Sequence, residues 1–373
     1  MATDPLVSGH CDGRFTAVRE EFVRNFEERG DVGAAVCVMI DGQPVVNLVG
    51  GWQDQARERP WDERTVVNVW SSTKGVAAAC FAMIVDRGLV RYDQPVADFW
   101  PEFAAHGKDA VTVAMLLSHQ AGLCGFADPA TVSDLLAGEA SAARLAGQAP
   151  LWPPGTASGY HAISVGILAT ALFERIEGRS LRRFVAEELA AERQLDIMIG
   201  LPSKDDHRRA EMVAPPEMSS ASIGSLTPPQ IAALANPPLD PLLPNEAIWR
   251  EADVPSANGH SNAGALAGLY ATLVGGALVG TQTLAEATKV RIGNVDLVLG
   301  IPVQWAAGFL LNTDGVYGPS RAAFGHSGWG GSFAFGDPAT GLSMSYTMNR
   351  MGTMLRDDPR DVALIEAAYR SLG

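Results

Sequence analysis

Apolar residues recur at helical spacing near the start of the chain, at Phe15, Val18, Phe22 and Phe26, and the run stops at Gly30. Positions three and four apart share one face of a helix, so this spacing predicts an amphipathic first helix ended by a glycine. The period then changes. Ala34 to Ile40 and Pro44 to Val49 are β-rich runs separated by Asp41-Gly42. Both turn residues tolerate positive φ, which predicts a hairpin. The far end mirrors this arrangement. Ala306 to Leu311 and Ser332 to Phe335 read as strands, and Leu342, Met344, Tyr346 and Met348 alternate as in a half-buried strand. Asp358-Pro359 supplies an N-cap followed by a proline at the first helical position. It predicts a closing helix that buries Val362, Ile365, Tyr369 and Leu372.

Strands at both ends with a long middle imply one sheet assembled from both termini. The middle, roughly 76–255, reads mainly as helices ended by glycines such as Gly88 and Gly178. Proline pairs at 215–216, 228–229 and 237–238 make the stretch from Glu211 to Asn245 irregular. Loops of that length in a compact enzyme usually wall a binding site.

Composition narrows the class. With 373 residues, 47% of them hydrophobic, the chain can bury a sizeable core. A formal charge of −14 and the lack of any basic run exclude nucleic acid and an anionic membrane surface as partners. Cys11, Cys37, Cys80 and Cys124 are far apart and match no metal spacing, which fits a reducing compartment. The first residues lack the basic and apolar regions of a signal peptide, and no run reaches transmembrane length, so a cytoplasmic location is expected.

The chemistry starts from an oddity. The chain has only four lysines, and Lys74 opens the apolar stretch Gly75 to Val85, where a strongly hydrated ammonium gains nothing for solubility. Ser71 precedes it by three; Ala105, Leu201 and Glu286 occupy that place before the other lysines. On a helix, i and i+3 are neighbours, so the Ser71 hydroxyl and the Lys74 amine would meet. A serine is a poor nucleophile until a base takes its proton, and a lysine becomes such a base in apolar surroundings. At a helix start the serine N–H also points toward developing negative charge. The plain alternative is a lysine capping or snorkelling at a helix start.

Two further motifs follow. Tyr160 comes after Trp152-Pro153-Pro154-Gly155, a rigid turn that would present the phenol at the entrance to a helix over 161–177. Read alone it is a packed aromatic; beside a Lys74 ammonium, which favours a phenolate, it becomes a base for Ser71. Glycines crowd the start of a strand in Gly325-His326-Ser327-Gly328-Trp329-Gly330-Gly331-Ser332. They read either as a tight turn or as close approach of backbone N–H groups to a substrate carbonyl.

Together the three motifs resemble the signature of the serine β-lactamase and penicillin-binding-protein superfamily. The wording is most similar to the family VIII carboxylesterases, which look like class C β-lactamases but hydrolyse esters. Ser71-Ser72-Thr73-Lys74-Gly75 matches their S-x-T-K-G form, Trp152 to Ala162 their tyrosine segment, and His326 to Gly331 their H-x-G and W-G-G elements. Leu116 to Leu123 and Pro255 to Gly259 also look familiar.

The resemblance implies an α+β, β-lactamase-like fold: an antiparallel sheet flanked by the terminal helices, plus a mainly helical domain. The expected boundaries are 1–75 with 256–373 for the first and 76–255 for the second, with the active site in the cleft. It implies Ser71 as nucleophile, with Lys74 and Tyr160 sharing the proton transfers. His326, Gly328, Trp329, Gly330, Gly331 and Ser332 would supply oxyanion and substrate contacts. No metal or cofactor is expected, because no H-E-x-x-H arrangement occurs. Two departures matter. Relatives that cleave lactams and peptides carry an asparagine where this chain has Ala162 and a lysine where it has His326. Short-to-medium neutral acyl esters are therefore the expected substrates. An acyltransferase, a low-rate β-lactamase or D-amino-acid amidase, and a non-enzymatic acylated sensor stay as alternatives.

Overall fold

The structure, a computed structural model, describes residues 7–215, 226–354 and 356–373. The proline-rich stretch expected to be irregular thus lies partly outside the described residues, as does the extreme N-terminus.

One antiparallel sheet of nine strands organises the chain. The leading elements are β1 (Ser8–Cys11), α1 (Thr16–Glu27), β2 (Gly33–Ile40) and β3 (Gln43–Gly51). Asp41 and Gly42 both take positive φ in the β2–β3 turn, as their types predict. Two long helices follow, α2 (Thr73–Asp86) and α3 (Ser164–Glu177), and then α4 (Ala263–Val274). The far end contributes β4 (Ile292–Val295), β5 (Pro302–Trp305), β6 (Leu310–Leu311), β7 (Phe324–Ser327), β8 (Phe333–Asp337), β9 (Leu342–Met348) and α5 (Pro359–Leu372). Across the sheet the order is β1-β3-β2-β9-β8-β7-β6-β5-β4, so strands from the two ends of the chain meet at the β2–β9 pair.

Several details differ from the sequence expectation. β9 alternates in chemistry but not in exposure: all seven residues are buried. Leu342, Met344, Tyr346 and Met348 pack with residues of α1 and α5, while α4 covers the opposite face. Small hydroxyl residues at 343, 345 and 347 let that helix come close. The run from Ala306 to Leu311 is not one strand. It turns at Gly308, whose φ is +88° and where a Cβ would lie 2.7 Å from that of Ala78 on α2. Ser332 precedes β8 rather than starting it. On α5, Val362 is exposed, Tyr369 and Leu372 are half-buried, and Leu364, Ile365, Ala367 and Ala368 face the core. The helix after Tyr160 begins at Ser164, not His161.

Helix α2 explains why the middle of the chain can hold a buried amine. Every residue from Thr73 to Ile84 is buried. It is apolar all round, as a helix enclosed by protein must be, and its alanines let neighbouring elements approach.

A buried ion cluster ties α5 to the sheet and to the glycine turn beyond β7. Arg360, 3% exposed, donates to Asp31 Oδ1 at 2.9 Å, to Asp358 Oδ2 at 2.7 Å and to the Gly330 carbonyl at 2.7 Å. Tyr346 donates its hydroxyl to the other Asp31 oxygen. Removing one partner of such a group leaves buried charge uncompensated, so Arg360→Met should lose about 3–5 kcal/mol of stability. A urea titration measures this; a loss under about 1 kcal/mol would mean that the cluster relaxes into solvent.

Candidate active site

The nucleophile candidate is presented by a tight turn, Trp70–Ser72, that runs directly into α2. Trp70 is buried at φ +44°, a left-handed conformation unfavourable for a bulky side chain. Its ring is wedged against those of Trp249 and Trp329, at 5.3 and 5.0 Å between centroids. This turn sets Ser71 one helical turn before Lys74, and the two side chains meet as the spacing predicts: Ser71 Oγ lies 2.9 Å from Lys74 Nζ. On its other side Ser71 Oγ accepts a 2.7 Å hydrogen bond from the Tyr160 hydroxyl.

Lys74 is almost fully buried, and its remaining partners are two backbone carbonyls, those of Ala162 at 2.7 Å and Ser256 at 2.9 Å. No carboxylate pairs with it among the described residues. Burial without a counter-ion disfavours the ammonium and holds its pKa well below the ordinary lysine value. A neutral amine has two N–H bonds and one lone pair. The two carbonyls accept the former, which leaves the lone pair facing Ser71. Tyr160 is neutral as well: burial raises its phenol above the usual value, outweighing the opposing effect of its bond to Ser71. Burial thus acts against both charged forms, the Lys74 ammonium and the Tyr160 phenolate, that the sequence reading set side by side.

Tyr160 is held from several directions. Its ring stacks on Trp305, with centroids 5.6 Å apart and planes 7° from parallel, and meets the edge of His119 at 5.0 Å. His119 Nδ1 accepts the N–H of His161 at 3.2 Å. His161 in turn donates from Nδ1 to the Gly159 carbonyl at 2.6 Å and accepts the Leu123 N–H on Nε2 at 3.1 Å. Burial pushes the His161 pKa down to about 4, keeping this relay neutral. The Leu116 to Leu123 segment thus braces the tyrosine turn.

The third motif docks on the nucleophile turn. At Gly328 a Cβ would lie 2.3 Å from the Val69 carbonyl oxygen and 2.3 Å from Ser332 Oγ, so only glycine permits this approach. Ser332 donates to the Val69 carbonyl at 2.9 Å and lies 3.1 Å from Ser72 Oγ. Gly331 N–H donates to the Gly328 carbonyl at 3.2 Å, turning that carbonyl inward; across a trans peptide the Trp329 N–H then points the other way. Ser71 N–H and Trp329 N–H have no acceptor among the described residues. His326 donates from Nδ1 to the Ser327 carbonyl at 2.9 Å, and burial lowers its pKa to about 3, so it carries no charge at neutral pH. Gly75 has its own reason: a Cβ there would lie 2.1 Å from the Tyr270 hydroxyl.

These groups open into a cavity of about 1080 Å³ whose wall includes Ser71, Tyr160, Trp329 and His326. Leu135, Leu145, Leu239, Leu299, Val316 and Ile365 contribute apolar lining. Leu239 and its neighbours from 232 onward belong to the irregular stretch expected to wall a site. Among the described residues no cluster of three His, Cys, Asp or Glu side chains could hold a metal ion, and no helix is long and apolar enough to cross a membrane.

Sequence reasoning named Ser71, Lys74, Tyr160 and the glycine turn, and the fold brings them together. It missed His119, His161 and Trp305 around Tyr160, and Ser256, which reaches Lys74 through its carbonyl. The familiar segments containing His119 and Ser256 carried the available signal; Trp305 had none.

Comparison with known proteins places this geometry. The beta-lactamase family model matches residues 22–369. A crystal structure of a family VIII carboxylesterase superposes with a TM-score of 0.93 at 42% identity, covering 98% of this chain and 99% of that one. A penicillin-binding-protein homologue from Caulobacter crescentus gives the same score at 44% identity, over 98% and 99% of the two chains. The esterase/beta-lactamase LipL of Mycobacterium tuberculosis is 33% identical over 92% of this chain and 83% of its own length. On the extent of these matches, the chain belongs to the beta-lactamase family.

Proposed function

We propose that the protein is a serine carboxylesterase of the family VIII type, hydrolysing neutral acyl esters through an acyl-enzyme on Ser71. The carrying observation is Ser71 Oγ held between Lys74 Nζ and the Tyr160 hydroxyl at the wall of an apolar cavity. Lys74, neutral by burial, takes the Ser71 proton as Oγ attacks the ester carbonyl. The Ser71 and Trp329 N–H groups receive the oxyanion. Tyr160 hands its proton to the departing alcohol, and the Lys74 ammonium, which holds the proton Ser71 gave up, restores it; in the second half the same pair takes a proton from the attacking water and returns one to Ser71 Oγ as the acid leaves. The esterase named among the relatives, and the carboxylesterase among the solved structures, support this reading. The four cysteines are free, three of them buried, in keeping with action in a reducing compartment such as the cytoplasm.

The substrate class follows from what lines the cavity. Ala162 offers no side-chain partner to an amide, and uncharged His326 is a poor anchor for a carboxylate. Arg356 on the wall donates to the Thr313 carbonyl at 3.1 Å, and Asp357, Asp361 and Glu366 line the same cavity. Anionic lactams therefore find neither an amide partner at Ala162 nor a lysine at the place of His326, whereas a neutral ester loses nothing. We expect kcat/KM for p-nitrophenyl butyrate or octanoate to exceed that for a chromogenic cephalosporin or a D-alanyl p-nitroanilide by roughly 100-fold or more, the scale on which missing polar anchors discriminate. Preference for the cephalosporin or the anilide over acetate, butyrate and octanoate alike would refute the assignment.

A further inference from the structure

The loop joining β4 to β5 carries a buried carboxylate that touches none of the reacting atoms. Asp296 is 1% exposed and makes no ion pair among the described residues. Instead, five hydrogen-bond donors converge on it. Oδ1 accepts the backbone N–H of Tyr160 at 2.8 Å and those of Val298 and Leu299 at 3.0 Å each. Oδ2 accepts the Ser158 hydroxyl at 2.8 Å and the Trp305 indole N–H at 3.2 Å.

Two of these donors close the loop on itself, as an aspartate at a turn commonly does. The other three do not belong to the loop. Ser158 and Tyr160 flank the turn that presents the phenol, and Trp305 is the ring on which that phenol stacks. One carboxylate at the edge of the sheet therefore fixes both the backbone of Tyr160 and the surface beneath its ring. The Leu297 N–H adds a 2.9 Å bond to the Ser158 carbonyl, so loop and turn are laced together along their length.

We infer that Asp296 is a positioning residue for Tyr160, holding its hydroxyl in line with Ser71 Oγ by anchoring the Tyr160 N–H and the Trp305 indole together; this rests on the serine-esterase reading above. A side chain that sets a reacting group's position acts on the chemical step, and a displacement near 1 Å can cost about 100-fold in rate. It does not contact the cavity and so leaves ground-state binding alone.

Asp296→Asn tests this by keeping the shape. The amide oxygen still accepts the three backbone N–H groups, but the amide nitrogen faces the Trp305 indole donor to donor. With p-nitrophenyl butyrate, kcat should fall roughly 10- to 100-fold while KM stays within about twofold, because only an interaction used in the transition state is lost. In a Trp305→Phe background, where no indole N–H opposes the amide, the same substitution should cost less than about threefold in kcat. If Asp296→Asn does not fold, Trp305→Phe alone deletes the same bond and must show a loss in kcat; its KM is not a readout, since Trp305 also lines the cavity. Asp296→Asn with wild-type kcat, a lowered melting temperature alone, or an equal loss in both backgrounds would overturn the inference. Absence of turnover by the wild-type enzyme would instead count against the esterase reading itself.

Discussion

Ser71→Ala should reduce ester turnover by roughly four to six orders of magnitude while leaving the fold intact. Losses of that size accompany removal of a serine nucleophile, the residue of activity coming from binding and oxyanion contacts alone. The fold should survive because the removed Oγ bonds only to Lys74 and Tyr160, both of which keep other support. A fluorophosphonate probe followed by peptide mapping checks the same point without kinetics: the label should sit on Ser71 and be absent from the alanine variant. The neighbouring Ser72 is a stringent control. It is buried, and its hydroxyl faces Ser332 rather than Lys74. Label on Ser72, or full turnover without Ser71, would remove the mechanism.

The second large effect concerns the proton. Lys74→Ala and Tyr160→Phe should each lower kcat by several orders of magnitude, and the double variant by little more than the worse single one, since groups acting as a unit are strongly non-additive. The pH profile separates their roles. In the proposed mechanism Lys74 acts as the free base, and burial holds its pKa well below the ordinary value. As pH falls through that depressed pKa the amine gains a proton, its lone pair disappears, and kcat/KM should drop about tenfold per pH unit. Above it the profile should be flat through neutral pH, because Tyr160 is pushed up, not down, and keeps its proton. Lys74→Arg cannot shed its charge in any usable range and should stay inactive up to pH 10. A wild-type rate that climbs steadily toward pH 10 would mean that Lys74 titrates like a solvent-exposed lysine, and the role given to it would fall.

What could be read from the chain divides along physical lines. Ser71, Lys74 and the tyrosine turn were legible because their chemistry is local: an amine in an apolar helix three residues after a serine has few explanations. The terminal strands and helices were legible because each buries one face at a fixed period. Two kinds of feature were not. β9 looked half-buried because its second face is lined with serine and threonine, and nothing local shows that α4 covers them. The rise in the Tyr160 pKa also depends on enclosure by distant segments, as does the full set of partners around Lys74, including the carbonyl of Ser256, whose approach no spacing rule foretells. Trp305 was invisible for the same reason. It is one aromatic in a short strand until the fold lays it flat against Tyr160.

The β2–β9 pairing sets a timetable for biosynthesis. Val38 and Met344 face each other within the sheet, so the partner of β2 emerges from the ribosome about 300 residues after it. At 5–20 residues per second the β2–β3 hairpin waits roughly 15–60 s with one apolar edge unpaired. An unpaired edge of that kind is a template for other chains. Yield of folded enzyme should therefore depend on how crowded the ribosome's surroundings are during that interval. Chaperone supply and synthesis rate should therefore act on that yield separately from the stability of the finished molecule.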